Sequence, residues 1–409
     1  MNYQLKCWKC GAIAEKEPAY KCARCGNILE AKYDIGPGDY ILHNDRPGIF
    51  KFDCVLPFEG NYDISLGEGN TPLIQSAHIG KSIGLDQLYF KLESLNPTGS
   101  FKDRAFTVIM RCAKKFGTKK MIIASTGNAS AAAAAYAARC NMDLVAVIPE
   151  TTPKNKVLQA MTYGATVVKV PGVYSDSYKL CREMSDKYGW FDLTTTYINP
   201  YAREGYKTLG YEIYEQLKSV PDWIVFPVGD GPILASVHQA FCELKTMGVV
   251  DRVPKLACVQ SENCGPIAEA FIKCRDDVTA CIDPKPTLAS GINDSLFGYA
   301  DDGDFTLACI KESGGTALLL TEEEIESSVC MLAKEGIYAE PAGAVGMIGV
   351  KKLVSQGVIE KDETVVIAVT GNGLKNPLQI KMADPPVVST ANELAEYLKN
   401  ANRTVPEQC

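Results

Sequence analysis

Residues 120–149, KMIIASTGNASAAAAAYAARCNMDLVAVIP, decide the fold. A short apolar run, KMIIAS (120–125), meets a polar turn. An alanine-rich run of helical length follows, and then a second apolar run, LVAVIP (144–149). Strand, helix and strand in that order make a βαβ unit, which demands a parallel pair. The alternation continues on both sides. Strand-like runs stand at 88–93, 166–171, 223–228, 256–261 and 364–370. Helix-like runs stand at 103–117, 129–140, 153–164, 175–189, 204–218, 232–248, 322–336 and 343–357. The strands are continuous apolar runs rather than alternating ones, as expected of sheets covered on both faces. The expected class is α/β with largely parallel sheets flanked by helices. The run Ala131 to Ala135 predicts a helix whose small side chains let neighbours approach closely.

At 409 residues the chain has room for two or three domains. It is 46% hydrophobic and 22% charged, which excludes a disordered or collagen-like chain. A net charge of −7 gives no basic field for nucleic acid or anionic lipid. No apolar run approaches the ~20 residues that cross a bilayer. MNYQLKCWKCG lacks the apolar stretch of a secretory signal, so a cytoplasmic location is expected.

Twelve of the sixteen cysteines are scattered singly, several in apolar runs, and are expected to be reduced thiols. Four are not. Cys7-Trp-Lys-Cys10 is followed by Cys22-Ala-Arg-Cys25, with Gly11 and Gly26 directly after the pairs. Two residues between thiols let both sulfurs face one ion, and two such knuckles supply the tetrahedral set of a structural zinc ribbon. Iron is the chemical competitor. Four thiolates close the shell, so a stabilising rather than catalytic ion is expected.

In parallel sheets ligands gather beyond the carboxyl ends of the strands. Four of those ends carry chemistry. Asn96-Pro-Thr-Gly-Ser100-Phe-Lys102-Asp-Arg104 delivers a lysine to a helix start, where the helix dipole disfavours its charge and leaves a usable amine. Ser125-Thr126-Gly-Asn128-Ala-Ser130 gathers hydroxyls, an amide and helix N–H groups into a cradle for a carboxylate or phenolic oxygen. Gly229-Asp230-Gly231-Pro232-Ile233 is a glycine loop opening a helix, with the chemistry of a phosphate site but neither the Walker nor the dinucleotide pattern. Thr370-Gly-Asn-Gly-Leu-Lys375 puts a neutral hydroxyl at the end of the last strand. Taken singly, each has a plainer reading: a solvated lysine, a helix cap or a glycine turn.

In this order, and with GEGNTPL (67–73) upstream, the motifs resemble those of the fold type II pyridoxal-phosphate (PLP) enzymes, and most closely the threonine synthase family. Many of that family also carry an amino-terminal cysteine ribbon. The resemblance implies two parallel-rich PLP domains plus the ribbon. The expected division is a ribbon at 1–35, the first part of a large domain at 36–99, a small α/β domain at 100–200, the rest of the large domain at 201–390, and a tail at 391–409. It implies that Lys102 forms the Schiff base with PLP and that Asn128 bonds the phenolic oxygen. Residues Gly229 to Ile233 are expected to hold the phosphate, with Thr370 facing the pyridine nitrogen. Ser100, Ser125, Thr126 and Ser130 fall among the substrate-binding positions. The family's Asn-Pro-x-Arg-x-Glu-Gly segment appears as Asn199-Pro-Tyr-Ala202-Arg203-Glu204-Gly205, with the arginine one place late. Asn199 and Arg203 are therefore expected among the substrate-binding residues, the arginine at the substrate phosphate. The implied reaction converts O-phosphohomoserine and water to threonine and phosphate. A serine/threonine deaminase or a β-replacement enzyme is the alternative on the same scaffold. The expected partner is a small amino-acid substrate, with no nucleic acid and no membrane, and a homodimer is left open.

Overall fold

The computed structural model describes residues 3–58, 60, 62–172, 174–194, 197–378 and 386–400. Two sheets organise the chain. The smaller is four-stranded and wholly parallel, in the order Thr166–Val170, Asp143–Pro149, Lys120–Ala124, Phe191–Asp192. The larger has six strands, in the order Thr316–Leu320, Lys255–Ser261, Trp223–Pro227, Val365–Ala368, Leu88–Lys91, Leu73–Gln75. It is parallel except for its last, edge strand. Its two middle strands, Trp223–Pro227 and Val365–Ala368, are buried at every residue. The all-apolar runs at 223–228 and 364–370 thus have their physical cause in helices on both faces.

The alanine run lies in the helix Asn128–Arg139, and Ala131 to Ala135 are all buried, as their small size predicts. The helix Pro200–Leu217 starts on proline. Asn199 Oδ1 accepts the Tyr201 amide at 3.1 Å as its cap. Three expectations change. The loop-rich stretch 36–65 contains a short 3₁₀ segment, Gly48–Val55, and buries Phe50, Phe52 and Val55 completely. The helix Ala300–Glu312 and the strand Thr316–Leu320 were not foreseen. Of the twelve scattered cysteines ten are free, as expected, but Cys330 is disulfide-bonded, and Cys409 lies outside the described residues.

A charged cluster lies wholly inside the protein. Arg104 donates from Nε to Glu93 Oε2 at 2.7 Å and from Nη2 to Glu212 Oε2 at 2.7 Å. Lys91 Nζ reaches Glu212 Oε2 at 2.8 Å, the Thr71 carbonyl at 2.6 Å and Gln216 Oε1 at 2.8 Å. Burial alone would raise the Glu212 pKa; Arg104 and Lys91 reverse that and hold it well below the usual carboxylate range. This cluster ties the strand Leu88–Lys91, the start of the helix Lys102–Lys115 and the helix Pro200–Leu217 into one block.

The amino-terminal hairpin, Tyr3–Cys7 paired antiparallel with Leu29–Tyr33, adds Leu5, Leu29 and Ala31 to the core. It docks on the Ala300–Glu312 helix. Lys21 Nζ meets Asp302 Oδ1 at 2.6 Å, Asn27 Nδ2 donates to Asp301 at 3.1 Å, and Trp8 packs edge-on against Phe305.

Candidate active site and metal cluster

The lysine loop and the last strand's loop are stitched together. Phe101 N donates to the Thr370 carbonyl at 3.0 Å, Asn372 N to the Gly99 carbonyl at 2.9 Å, and Ser100 bridges Gly371. Lys102 opens the helix Lys102–Lys115, as expected, with Nζ 4.6 Å from the Phe101 ring centre and 5.4 Å from that of Tyr206. Its pKa is lowered chiefly by burial, against the opposing pull of Asp230 and Asp294. Desolvation is thus a cause of the lowered pKa that the sequence reading, resting on the helix dipole, did not include.

Asn128, the first residue of its helix, donates from Nδ2 to Glu340 Oε1 at 2.6 Å. Glu340 in turn is bound to the last strand's loop, its N–H donating to the Gly371 carbonyl at 3.0 Å. Burial raises the Glu340 carboxyl to about 7, while the Asn128 bond, Lys375 and Lys156 pull the other way. Sequence reading passed over Glu340. The available signal was a carboxylate just before Pro341 at a helix start, in the unassigned segment between the helix-like runs 322–336 and 343–357.

The glycine loop lies at the start of the helix Pro232–Thr246. Gly231 has φ +100, and a Cβ there would stand 2.3 Å from Thr306 Cγ2, so only glycine fits. The first-turn amides of Ile233 and Leu234 have no acceptor within the helix. Asp230 Oδ1 accepts the Gly231 amide at 3.1 Å, while Oδ2 is buried with no partner among the described residues. Burial first, then Asp294, pushes the Asp230 carboxyl up to about 8, with Lys102 opposing. Asp294, also missed from sequence, faces Gly229 across the loop. Ser125 Oγ accepts the amides of Gly127 and Ser130, each at 3.3 Å, and Thr126 is half-buried beside it. Ser100 Oγ and Ser130 Oγ are buried with no partner among the described residues. Thr370 is buried at the strand end.

Orphaned hydroxyls, a desolvated amine and a glycine loop with outward N–H groups suit a group bearing an aldehyde, a phenolic oxygen and a phosphate. They fit PLP.

Asn199 and Arg203 are not brought to this cleft. Asn199 is fully buried as a helix cap, with Nδ2 donating to the Asp192 carbonyl at 3.0 Å. Arg203 is 2% exposed and committed to Glu30 Oε1 at 3.3 Å and Gln239 Oε1 at 2.9 Å, with its guanidinium over Phe305. The one-residue shift from Ala202 turns the side chain about 100° around the helix, toward the hairpin. The expectation that these two residues bind substrate, the arginine at its phosphate, is therefore corrected.

The four thiols of Cys7, Cys10, Cys22 and Cys25 converge, all within 4.8 Å of one another. Each knuckle closes on its own backbone, with Gly11 N donating to Cys7 O at 3.0 Å and Gly26 N to Cys22 O at 2.8 Å. This is a four-cysteine site able to hold a metal ion.

Comparison with known proteins agrees with the cleft. The family model of the pyridoxal-phosphate dependent enzymes matches residues 64–371. A protein of Methanosarcina acetivorans named threonine synthase is 38% identical over 95% of this chain and 96% of its own length. One of Methanocaldococcus jannaschii, also named threonine synthase, is 36% identical over 93% of this chain and 95% of its own. Among solved structures, threonine deaminase isoform 2 of Solanum lycopersicum superposes with a TM-score of 0.64 at 21% identity, covering 90% of this chain and 99% of its own. That likeness concerns the fold alone. With a cofactor cleft of this kind and near full-length relatives of that name, the chain belongs to the pyridoxal-phosphate dependent enzymes and, within them, to the threonine synthase family.

Proposed function

We propose that this enzyme converts O-phosphohomoserine and water to threonine and phosphate in the cytoplasm. The observation that carries the reading is the near full-length likeness to two proteins named threonine synthase. The cleft supports it with a residue for each task. Pyridoxal phosphate, when bound, supplies the electron sink that lets the α-proton and the γ-phosphate leave.

The chain supplies position and proton traffic. Lys102, buried and of lowered pKa, holds the cofactor's aldehyde carbon and then, released, moves protons at the substrate's α- and β-carbons. Asn128, oriented by Glu340, donates to the phenolic oxygen. Gly229, Asp230, Gly231, Pro232 and Ile233 surround the cofactor phosphate, and Thr370 meets the ring nitrogen without charge. Ser100, Ser125, Thr126 and Ser130 offer hydroxyls and amides to the substrate carboxylate, which accounts for two of the orphaned hydroxyls. The four-cysteine site holds zinc, as its all-thiolate set favours. The domain division at 35, 99, 200 and 390, and a homodimer, belong to the same proposal. The two sheets, one built from residues 120–192 and the other mainly from 223–368, support the division.

The test is product analysis. Phosphate and threonine released together from O-phosphohomoserine support the reading. Keto acid released from threonine or serine, with no threonine from O-phosphohomoserine, replaces it with a deaminase.

A further inference from the structure

A substrate phosphate drawn out of water needs cationic donors, and Arg203 is spent on Glu30 and Gln239. Two lysines stand at the cleft instead. Lys156 lies in the first turn of the helix Lys154–Thr162, part of the small-sheet unit. Its Nζ reaches Ser290 Oγ at 3.2 Å, in the short segment Ser290–Ile292 that belongs with the larger sheet. Lys375 ends the TGNGLK loop. Its Nζ donates to the Thr98 carbonyl at 2.8 Å and to Gln159 Oε1 at 2.6 Å. Its stem lies against the lysine loop, where a Cβ on Gly99 would stand 3.2 Å from Lys375 Cδ. Gln159, three residues after Lys156 and so on the same helix face, also donates to the Thr98 carbonyl at 3.2 Å. Both lysine charges bear on Glu340, the residue bonded to Asn128.

The partners of these lysines are a hydroxyl, a carbonyl and an amide, none of them charged. Among the described residues neither lysine has a carboxylate at ion-pair distance. Buried lysines elsewhere do: Lys91 pairs with Glu212 at 2.8 Å and Lys207 with Glu204 at 2.7 Å. Two cations held only by dipoles, both partly exposed, beside a substrate cleft, have the electrostatics of an anion site.

We propose that Lys156 and Lys375, with the Ser290 hydroxyl, form the subsite for the γ-phosphate of the substrate and select a phosphorylated amino acid over serine or threonine. This rests on the function proposed above. The same contacts span the two sheets, so a bound phosphate would also hold the helix Lys154–Thr162 against the larger unit.

The experiment uses cofactor-loaded enzyme and the variants Lys156→Ala, Lys156→Arg, Lys375→Met and the double Lys156→Ala/Lys375→Met. Two quantities are read: kcat/KM for O-phosphohomoserine, and the inhibition constant of inorganic phosphate. Each neutral variant should lower kcat/KM about 10- to 150-fold, mainly through KM, and weaken phosphate inhibition by a similar factor. Binding of threonine, which has no phosphate, should change less than about twofold, and Lys156→Arg should restore most of the loss. If Lys375→Met loses the bound cofactor, Lys156→Ala decides alone, because the Lys156 amine is bonded to the Ser290 hydroxyl and not, like that of Lys375, to the lysine loop. A double variant with KM and phosphate inhibition both within about twofold of wild type would overturn the subsite. Wild-type enzyme that makes no threonine from O-phosphohomoserine would instead defeat the function, a separate failure visible before any variant is made.

Discussion

Two charged interiors lie a few residues apart on one helix, and they are built in opposite ways. Around Arg104 every strong charge meets its opposite, with Glu93, Glu212 and Lys91 joined at 2.7–2.8 Å. Around Lys102 the balance fails: Asp230 and Asp294 crowd a single buried amine, and Asp230 Oδ2 has no partner among the described residues. The first arrangement fixes a backbone. The second leaves amines and acids at shifted pKa values, the usual signature of a site awaiting a ligand. Buried charge alone therefore says little about function, and whether it is satisfied says much more.

The comparison can be broken from either side. Lys102→Ala should abolish the visible absorption band of bound cofactor and all turnover while leaving the melting temperature nearly unchanged, and a retained band would remove Lys102 from its role. Glu212→Ala should do the reverse. It strands Arg104 and Lys91 in the core at a cost of about 3–5 kcal/mol, read as a lowered urea midpoint. A midpoint within experimental error of wild type would mean that the Arg104 cluster is not the clamp described here.

The two interiors should also respond to pH with opposite sign. Glu212 has its folded pKa depressed, so its contribution is full above its unfolded value near 4.5 and falls away as the solution is acidified below it. Glu340 has its folded pKa raised to about 7. Its contribution is full below 4.5 and is lost as pH rises from there through 7. In cofactor-free protein, Glu340→Gln should flatten the decline in stability between pH 5 and 8, whereas Glu212→Gln should flatten the acid limb. Matching pH profiles for the two variants would contradict the contrast.

The smallest effect on chemistry should come from the hairpin. Cys7→Ser with Cys10→Ser should remove the site's capacity for a metal ion and loosen the hairpin while PLP stays bound, since the four thiols lie in the amino-terminal hairpin, far in sequence from residues 102, 128, 229–233 and 370. Arg203→Ala should lower stability by roughly 2–3 kcal/mol through the abandoned Glu30 and leave KM for O-phosphohomoserine unchanged. A large rise in KM would return Arg203 to the substrate.

Much of the fold was readable because strands covered on both faces have only one way to look, as WIVFPV at 223–228 illustrates. The helix Ala300–Glu312 escaped because it begins Ala-Asp-Asp-Gly-Asp, where charge and glycine imitate a loop. Its partner strand, TALLL, is framed by Gly314-Gly315 before it and the Thr321 helix cap directly after it, so turn and cap signals crowd it on both sides. The loops that line the cleft were legible as motifs, being local in sequence. Arg203 was placed by the family's segment, which does not tell what awaits the shifted side chain: Glu30 lies 173 residues away. Glu340 went unnoticed for a related reason, as its partner Asn128 is 212 residues distant.

The hairpin's docking contacts have a consequence for the order of assembly on the ribosome. Its four thiols can meet once residue 25 has emerged, whereas Lys21 must wait for Asp302, 281 residues later. At 5–20 residues per second that interval is roughly 15–55 s. For that time a finished metal site would sit beside an unfinished enzyme, its docking face open to solvent. We predict that a ribosome-arrested chain ending before residue 300 binds zinc yet leaves Lys21 open to acylation, and that the full chain shields it. Equal labelling of Lys21 in both would show that docking does not wait for Asp302.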